Sequence, residues 1–251
     1  MKFRVCPIQG RQLKDVRKED IFEDFRICDT YRGGGGYDEF PNIATKRGLI
    51  EKGLRGSPGK QLVVQLYGCH LRCPYCYVTK DGIFGSYKKY SSKELLKALT
   101  RANKEHNVGV FHLMGGAPAL HMDKWGSLIN NLPSGFLFHS DLLLTEGYYR
   151  LHHLKDINGS QTLYAVNIKG VTSEDYFINT NKRINWNMFW NNLDSIVEVG
   201  LNFYLTFTGP DMKYFDRFVN QITERYGRDI MEDHFIINLI DYNALERGKA
   251  W

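Results

Sequence analysis

Cys69, Cys73 and Cys76 fall within eight residues in the run Tyr67-Gly-Cys-His-Leu-Arg-Cys-Pro-Tyr-Cys-Tyr77. Thiolates are soft ligands suited to iron–sulfur chemistry, and such clusters are normally held by four of them. Three on a Cys-x3-Cys-x2-Cys spacing can hold three irons of a four-iron, four-sulfur (4Fe–4S) cluster and leave the fourth iron open to another ligand. A competing use of the same thiols is a structural zinc site completed by His70 or Cys28. Zinc ribbons and knuckles usually show paired Cys-x2-Cys hooks, and this chain has one such pair. Cys6 and Cys28 have no close-spaced partner and read as small buried apolar residues.

The cysteines need a scaffold, and the chain from residue 61 onward alternates short apolar runs with longer helix-period segments, the pattern of βα units. Six runs read as strands buried on both faces: Gln61 to Tyr67, Val108 to Met114, Phe136 to Ser140, Leu163 to Lys169, Asn202 to Thr208 and His234 to Ile240. Between them, Ser91-Ser-Lys-Glu94 has capping-box spacing ahead of Leu95, Leu96, Ala98 and Leu99. A helical run over Asn187 to Val199 stops at Gly200, and Phe215, Phe218, Val219 and Ile222 mark one face of another before Gly227. The expected fold is α/β, an open partial (β/α)6 barrel over residues 61–251 with its site at the carboxyl ends of the strands. The cysteine run leaves the end of the first strand.

Residues 1–60 form an irregular N-terminal extension, a candidate substrate-binding or capping element. It carries Gly33-Gly-Gly-Gly36, which fits no phosphate-binding spacing and reads as a flexible loop. Its aromatics Phe22, Phe25, Tyr31, Tyr37 and Phe40 suit stacking or packing equally. With 43% apolar and 24% charged residues and no long apolar run, the chain reads as globular with no membrane span. Its start lacks a secretory signal, and free clustered thiols suit a reducing compartment, so a cytoplasmic location is expected. A net charge of +5, spread along the chain, is weak support for a nucleic-acid partner. Trp186 and Trp190 can line a base-binding surface, but an amphipathic helix more often buries such residues.

The cysteine spacing, its place after the first strand and the Gly-rich turn after the second resemble the radical S-adenosylmethionine (radical SAM) superfamily. The resemblance implies that Cys69, Cys73 and Cys76 bind a 4Fe–4S cluster, with the amino and carboxylate groups of S-adenosylmethionine on the open iron. It gives Tyr75, just before the third cysteine, the contact with adenine. His112-Leu-Met-Gly-Gly-Ala-Pro-Ala-Leu120 is similar to the family's Gly-Gly-Glu-Pro segment, so the backbone of Gly115 or Gly116 would bind the methionyl amino group. Ala117 stands in place of the Glu; a backbone contact survives that change.

Within the superfamily the later segments look most like the activases of glycyl-radical enzymes. Gly56-Ser-Pro-Gly59, Leu144-Thr-Glu-Gly147 and Ala165-Val-Asn-Ile-Lys169 are loosely similar to three activase segments. Lys169 is then the candidate for holding the S-adenosylmethionine carboxylate. Leu144 and Asn167 stand where activases often carry aspartates that help bind a monovalent cation, so that cation is not expected. Asp141 and Glu146 nearby read as solvated loop acids. The resemblance implies a radical SAM enzyme fed by flavodoxin or ferredoxin, abstracting a hydrogen atom from a protein or peptide. The alternatives are a small molecule or nucleotide substrate, with nucleic acid third.

Overall fold

The computed structural model describes residues 2–8, 18–30, 39–51, 53–76, 78–208, 212–230 and 235–240. Gly33 to Gly36, Tyr31, Tyr37 and His234 lie outside the described residues. In chain order the strands and helices are β1 (Phe3–Val5), β2 (Ile21–Phe22), β3 (Phe25–Asp29), α1 (Glu39–Lys46), β4 (Ser57–Gln65), α2 (Lys80–Phe84), β5 (Lys88–Tyr90), α3 (Ser92–His106) and β6 (Val108–Met114). There follow α4 (Trp125–Ile129), β7 (Leu137–Leu142), α5 (Leu151–Ile157), β8 (Thr162–Ile168), α6 (Ser173–Thr180), α7 (Trp186–Glu198), β9 (Phe203–Thr208), α8 (Met212–Tyr226) and β10 (Phe235–Ile240).

Eight strands form one sheet in the order β10-β9-β8-β7-β6-β4-β3-β2, and the six from β4 to β10 in it are parallel. Each of the six strands expected from the sequence is present; β6 keeps its expected ends and the others shift at one or both ends by one to four residues. β4 starts at Ser57 rather than Gln61, because Ser57 already pairs with Val108 of β6, across a register shift from Gln61, and β3 joins at Lys60. Parallel strands that follow one another in space as they do in sequence, with crossover helices on one face, make a sheet that curls toward its other face. The result is the expected partial barrel.

Alternation along the strands separates two cores. Leu62, Val64, Phe111, Leu113, Phe138, Tyr164, Val166, Phe203, Leu205 and Phe207 point outward and pack under Leu99, Trp125, Leu154, Phe189, Ile196 and Phe218 of the covering helices. Trp186 and Trp190 pack edge-on and tilted against Phe189 and Phe218 at the edge of this layer, which is the packing role.

The inward face is filled differently. Near the amino ends of the strands, Val110, Leu137, Leu163, Ala165 and Tyr204 pack on Phe40, Ile43 and Ala44 of α1. The 1–60 stretch therefore supplies a helix that fills the barrel's lower interior, together with edge strands β2 and β3, antiparallel on β4. Above that layer the inward positions turn polar: Gln65, His112, His139, Asp141, Asn167, Thr206 and Thr208. This change from oil to polar groups along the barrel axis points to chemistry at the carboxyl ends.

Helix α3 shows how local sequence fixes an element. The Ser91 hydroxyl accepts from the Glu94 backbone N–H while the Glu94 carboxylate accepts from the Ser91 N–H, and Asn107 closes the other end in the left-handed region. Ser91→Ala should cost about 1 kcal/mol of stability, read by urea unfolding, because the Glu94 N–H loses its acceptor while the backbone N–H at position 91 keeps the Glu94 carboxylate.

Candidate iron–sulfur and cofactor site

The three cysteines occupy a loop that leaves the carboxyl end of β4, and the root of that loop is clamped on both sides. Leu66 N–H donates to Met114 O of β6 at 2.9 Å, and Tyr67 N–H donates to Arg4 O of the β1 strand at 2.9 Å. The Arg4 guanidinium covers the Tyr67 ring at 4.9 Å. Beyond the root, Gly68 N–H donates to Ile83 O at 2.9 Å, and Gly68 O accepts from Ala117 N–H at 2.7 Å.

That last bond joins the two motifs found in the sequence. Gly115 and Gly116 adopt φ of +71° and +59°, where a side chain is strained. A Cβ on Gly116 would sit 2.2 Å from Gly68 O, and one on Gly115 would sit 2.4 Å from Gln65 Cγ. The two strand-end turns thus touch backbone to backbone, and the Gly-Gly pair is what allows it.

The loop's tip is pinned from across the barrel mouth. Arg72 N–H donates to Thr180 O at 2.9 Å, and Arg72 O accepts from Asn181 Nδ2 at 3.1 Å, both at the end of α6. Arg72 Nη1 folds back onto Cys69 O and Leu71 O at 3.0 and 2.7 Å. Leu71 N–H lies 3.4 Å from Cys69 Sγ. Cys69 and Cys73 share contacts with Leu71, Ala117, Leu143 and Tyr176, and Cys69 and Cys76 with Ile8, Val78 and Ile83. The three thiols are brought together on one loop, and none of them is in a disulfide.

Burial pushes the Cys69 thiol up to about 12, and pushes Cys73 up as well, against the lowering pull of the nearby Lys169 ammonium. Buried thiols this reluctant to ionise alone give up their protons when a metal takes them. Tyr75 is 5% exposed, and the Lys169 ammonium lies 6.0 Å from the centre of its ring. Lys169 itself donates to Thr208 Oγ1 at 3.2 Å. So Tyr75, Lys169 and the thiols, separated by up to about a hundred residues, converge at one mouth, beside Gly115 and Gly116. A cluster ligated by three thiolates, with a backbone cradle and a cation beside it, fits this set of donors.

The two acids read from the sequence as solvated are not. Glu146 is 5% exposed, and burial pushes its carboxyl from 4.5 to about 8. His70 Nδ1 lies 3.1 Å from Glu146 Oε1, and His70 Nε2 lies 3.1 Å from Thr145 Oγ1. Burial and the cations Lys182 and Arg72 hold His70 down at about 4. At neutral pH this contact joins a neutral imidazole to a carboxylic acid, so it is not an ion pair. Asp141 lies in β7 rather than a loop, and burial pushes it up to about 6 against the opposing effects of Lys169 and the Asn167 amide. Asn167 Nδ2 donates to Asp141 Oδ1 at 3.1 Å, and Thr206 Oγ1 donates to Asn167 Oδ1 at 2.9 Å. The segment Leu144 to Gly147 is held by Asn192, whose Nδ2 donates to Leu144 O and Glu146 O at 2.8 and 2.9 Å.

Cys6 is buried with its thiol near Ile83 O, and Cys28 pairs with Gln61 on β3, well back from the strand end that launches the loop. Sequence reading missed His112 and His139 as inward-facing groups; the available signal was a polar residue at an alternate position inside an otherwise apolar strand.

A model of the radical SAM superfamily matches residues 63–222. The chain belongs to that superfamily. Members of that superfamily are enzymes that use a 4Fe–4S cluster and S-adenosylmethionine. Among curated proteins, none matches the sequence. Solved structures share the fold. Streptococcus suis SuiB bound to precursor peptide SuiA superposes with a TM-score of 0.53 at 13% identity, covering 85% of this chain and 46% of SuiB. SuiB bound to S-adenosylmethionine gives 0.50 at 10% identity, covering 83% and 56%. The enzyme anSMEcpe with bound AdoMet and the Cp18Cys peptide gives 0.47 at 17% identity, covering 70% and 50%. The chain spans about half the length of these proteins. Among the described residues, no helix is long and apolar enough to cross a membrane.

The buried acid beside the cysteine loop makes a pH prediction. Glu146 keeps its proton in the folded chain to about pH 8 but loses it near 4.5 when unfolded, so stability falls as pH rises through that window. His70, depressed to about 4, opposes this only below its ordinary 6.5. Between pH 6.5 and 8, wild type should lose up to about 1.4 kcal/mol per pH unit relative to Glu146→Gln. Urea unfolding at several pH values measures the difference, and parallel curves for the two proteins would refute the buried acid.

Proposed function

We propose that Cys69, Cys73 and Cys76 hold the 4Fe–4S cluster, that Gly115, Gly116, Lys169 and Tyr75 hold S-adenosylmethionine, and that the enzyme abstracts a hydrogen atom from a protein or peptide. The observation that carries this reading is the junction of the cysteine loop with the Gly115-Gly116 turn, made through the Ala117 N–H to Gly68 O bond. It sets the three thiols next to the backbone of a side-chain-free turn at the carboxyl end of a parallel sheet. Cys69, Cys73 and Cys76 would hold a cluster that, when reduced, would supply the one electron for reductive cleavage of S-adenosylmethionine.

The chain's own groups have narrower tasks. The Lys169 ammonium pairs with the methionyl carboxylate, and Gly115 and Gly116 let that ligand's amino group approach bare backbone. Tyr75 offers its ring to the adenine. The arms from Thr180 and Asn181 hold the loop in place and keep water from its far side. The substrate must lie close to the radical carbon, so it completes the cover over the mouth.

A polypeptide is the first substrate class to test, because the SuiB structure with precursor peptide SuiA shares the fold; that likeness alone suggests it. An activase role toward a glycyl-radical partner is the finer form of this reading, supported by the segments ending at Gly147 and Lys169. Flavodoxin or ferredoxin is the proposed electron donor, in a cytoplasmic setting where thiols stay free for iron. We assign the 1–60 extension a capping role, with α1 as its anchor.

Reconstituted, dithionite-reduced protein should release 5′-deoxyadenosine from S-adenosylmethionine, and a fraction of host lysate should stimulate release. Replacing any one of Cys69, Cys73 or Cys76 with Ala should lower cluster iron and reduce release at least a hundredfold, whereas Cys6→Ala and Cys28→Ala should leave both intact. Normal turnover in a Cys69, Cys73 or Cys76 variant would refute the ligand assignment. In a separate binding measurement, Lys169→Ala should retain four irons but weaken S-adenosylmethionine binding about tenfold or more, the loss of one charge-assisted contact. Unchanged affinity would remove Lys169 from the site.

A further inference from the structure

Below the mouth, three metal-ligating side chains meet on the barrel's inner face and take no part in the reading above. His112 of β6 and His139 of β7 are register partners, and Asp141 stands two residues beyond His139 on the same face. Their ligand atoms all lie within 4.8 Å of one another, and the two imidazole rings are 4.1 Å apart. Both histidines are fully buried.

The surroundings prepare these groups as ligands. His139 Nε2 lies 3.1 Å from the Tyr204 hydroxyl, which leaves Nδ1 as the ring atom available to a ligand, and Nδ1 makes no hydrogen bond. Phe40 of α1 lies tilted against the same ring, with ring centres 4.4 Å apart, and packs beneath it. Asp141 is oriented by the Asn167 amide, which is itself fixed by Thr206. Burial holds both imidazoles neutral at physiological pH, His112 down at about 3, so each keeps a lone pair to give. A buried polar atom with no hydrogen bond is costly, and a cation held by this cluster would give the His139 ring nitrogen a partner.

We propose that His112, His139 and Asp141 form a site for a first-row divalent cation such as zinc, inside the barrel and separate from the cysteine cluster. Two imidazoles and one carboxylate are a common donor set for such ions. Bonds of about 2.0–2.2 Å place two ligands of one ion roughly 3 to 4 Å apart, so gathering the three asks each ligand atom to move by up to about 1 Å, within reach of small side-chain rotations. Tyr204 and Asn167 act as the outer hydrogen-bond partners that fix ligand orientation at metal sites. Three protein ligands leave a position open. The ion would take a lone-pair oxygen or nitrogen of the substrate there, such as a carboxylate, hydroxyl or amine, and anchor it in the interior.

The test is a metal count on full-length protein with its cluster in place. After chelator treatment and equilibrium dialysis against micromolar Zn2+, wild type should hold one zinc per chain beside four irons. The variant with Cys69, Cys73 and Cys76 all changed to Ala should keep that zinc while losing the iron. Asp141→Asn and His139→Gln should bind zinc at least tenfold more weakly and lose the zinc-dependent rise in Tm that wild type shows. Wild type without zinc beyond its cluster, zinc that disappears with the three cysteines, or equal binding by both ligand variants would each overturn the site. The first of these depends on no variant folding.

Discussion

The structure depends on a backbone contact between two strand-end turns. Gly116 packs so closely on Gly68 that a methyl group would fall 2.2 Å from the Gly68 carbonyl. The bond from Ala117 N–H to that carbonyl can form only at this approach. Both partners are at carboxyl ends of adjacent parallel strands, β4 and β6, whose pairing runs without interruption from Gln61 to Gln65. The sheet delivers the cysteine loop and the glycine turn to the same height, and the glycines let them meet. The clamp of β1 on Tyr67 and the arms from Thr180 and Asn181 then fix the loop's direction.

Sequence reading found the parts of the fold that local pattern dictates. The parallel strands are buried on both faces, so they appear as apolar runs, and β6 is found with its expected ends at Val108 and Met114. The capping box at Ser91 and the helix stop before Gly200 depend on neighbours three or four residues away and were equally legible. Strand β1 was not, because its three residues pair with β5 some eighty residues later and carry no periodicity of their own. Helix α1 is short and carries Pro41 in its first turn, where proline is tolerated but looks like a break. Its burial comes from the barrel around it.

The same distinction explains the site. The cysteines, the Gly-Gly pair and Lys169 announce themselves by type and spacing, and they do converge. Glu146 and Asp141 look like loop acids in sequence, because burial is conferred by residues far along the chain: His70 and Asn192 around Glu146, Asn167 and Lys169 around Asp141. His112 and His139 are hidden by the opposite effect, as single polar residues inside runs that otherwise read as core.

The barrel interior is best understood as a gradient set by period-two alternation. Inward positions are mostly apolar at Val110, Leu137 and Leu163, where α1 packs on them, and mostly polar from His112 and His139 upward, with Gln61 opposite Val110 and Met114 beyond His112 as exceptions. Polar groups so placed cost stability wherever they lack partners, and the sealed lower layer lets no water in to supply them. A fold selected for stability alone would continue the apolar layer to the strand ends. Retaining imidazoles, a carboxylate and amides between an oily floor and a thiol-bearing mouth makes physical sense if the upper interior is where polar molecules are held for reaction.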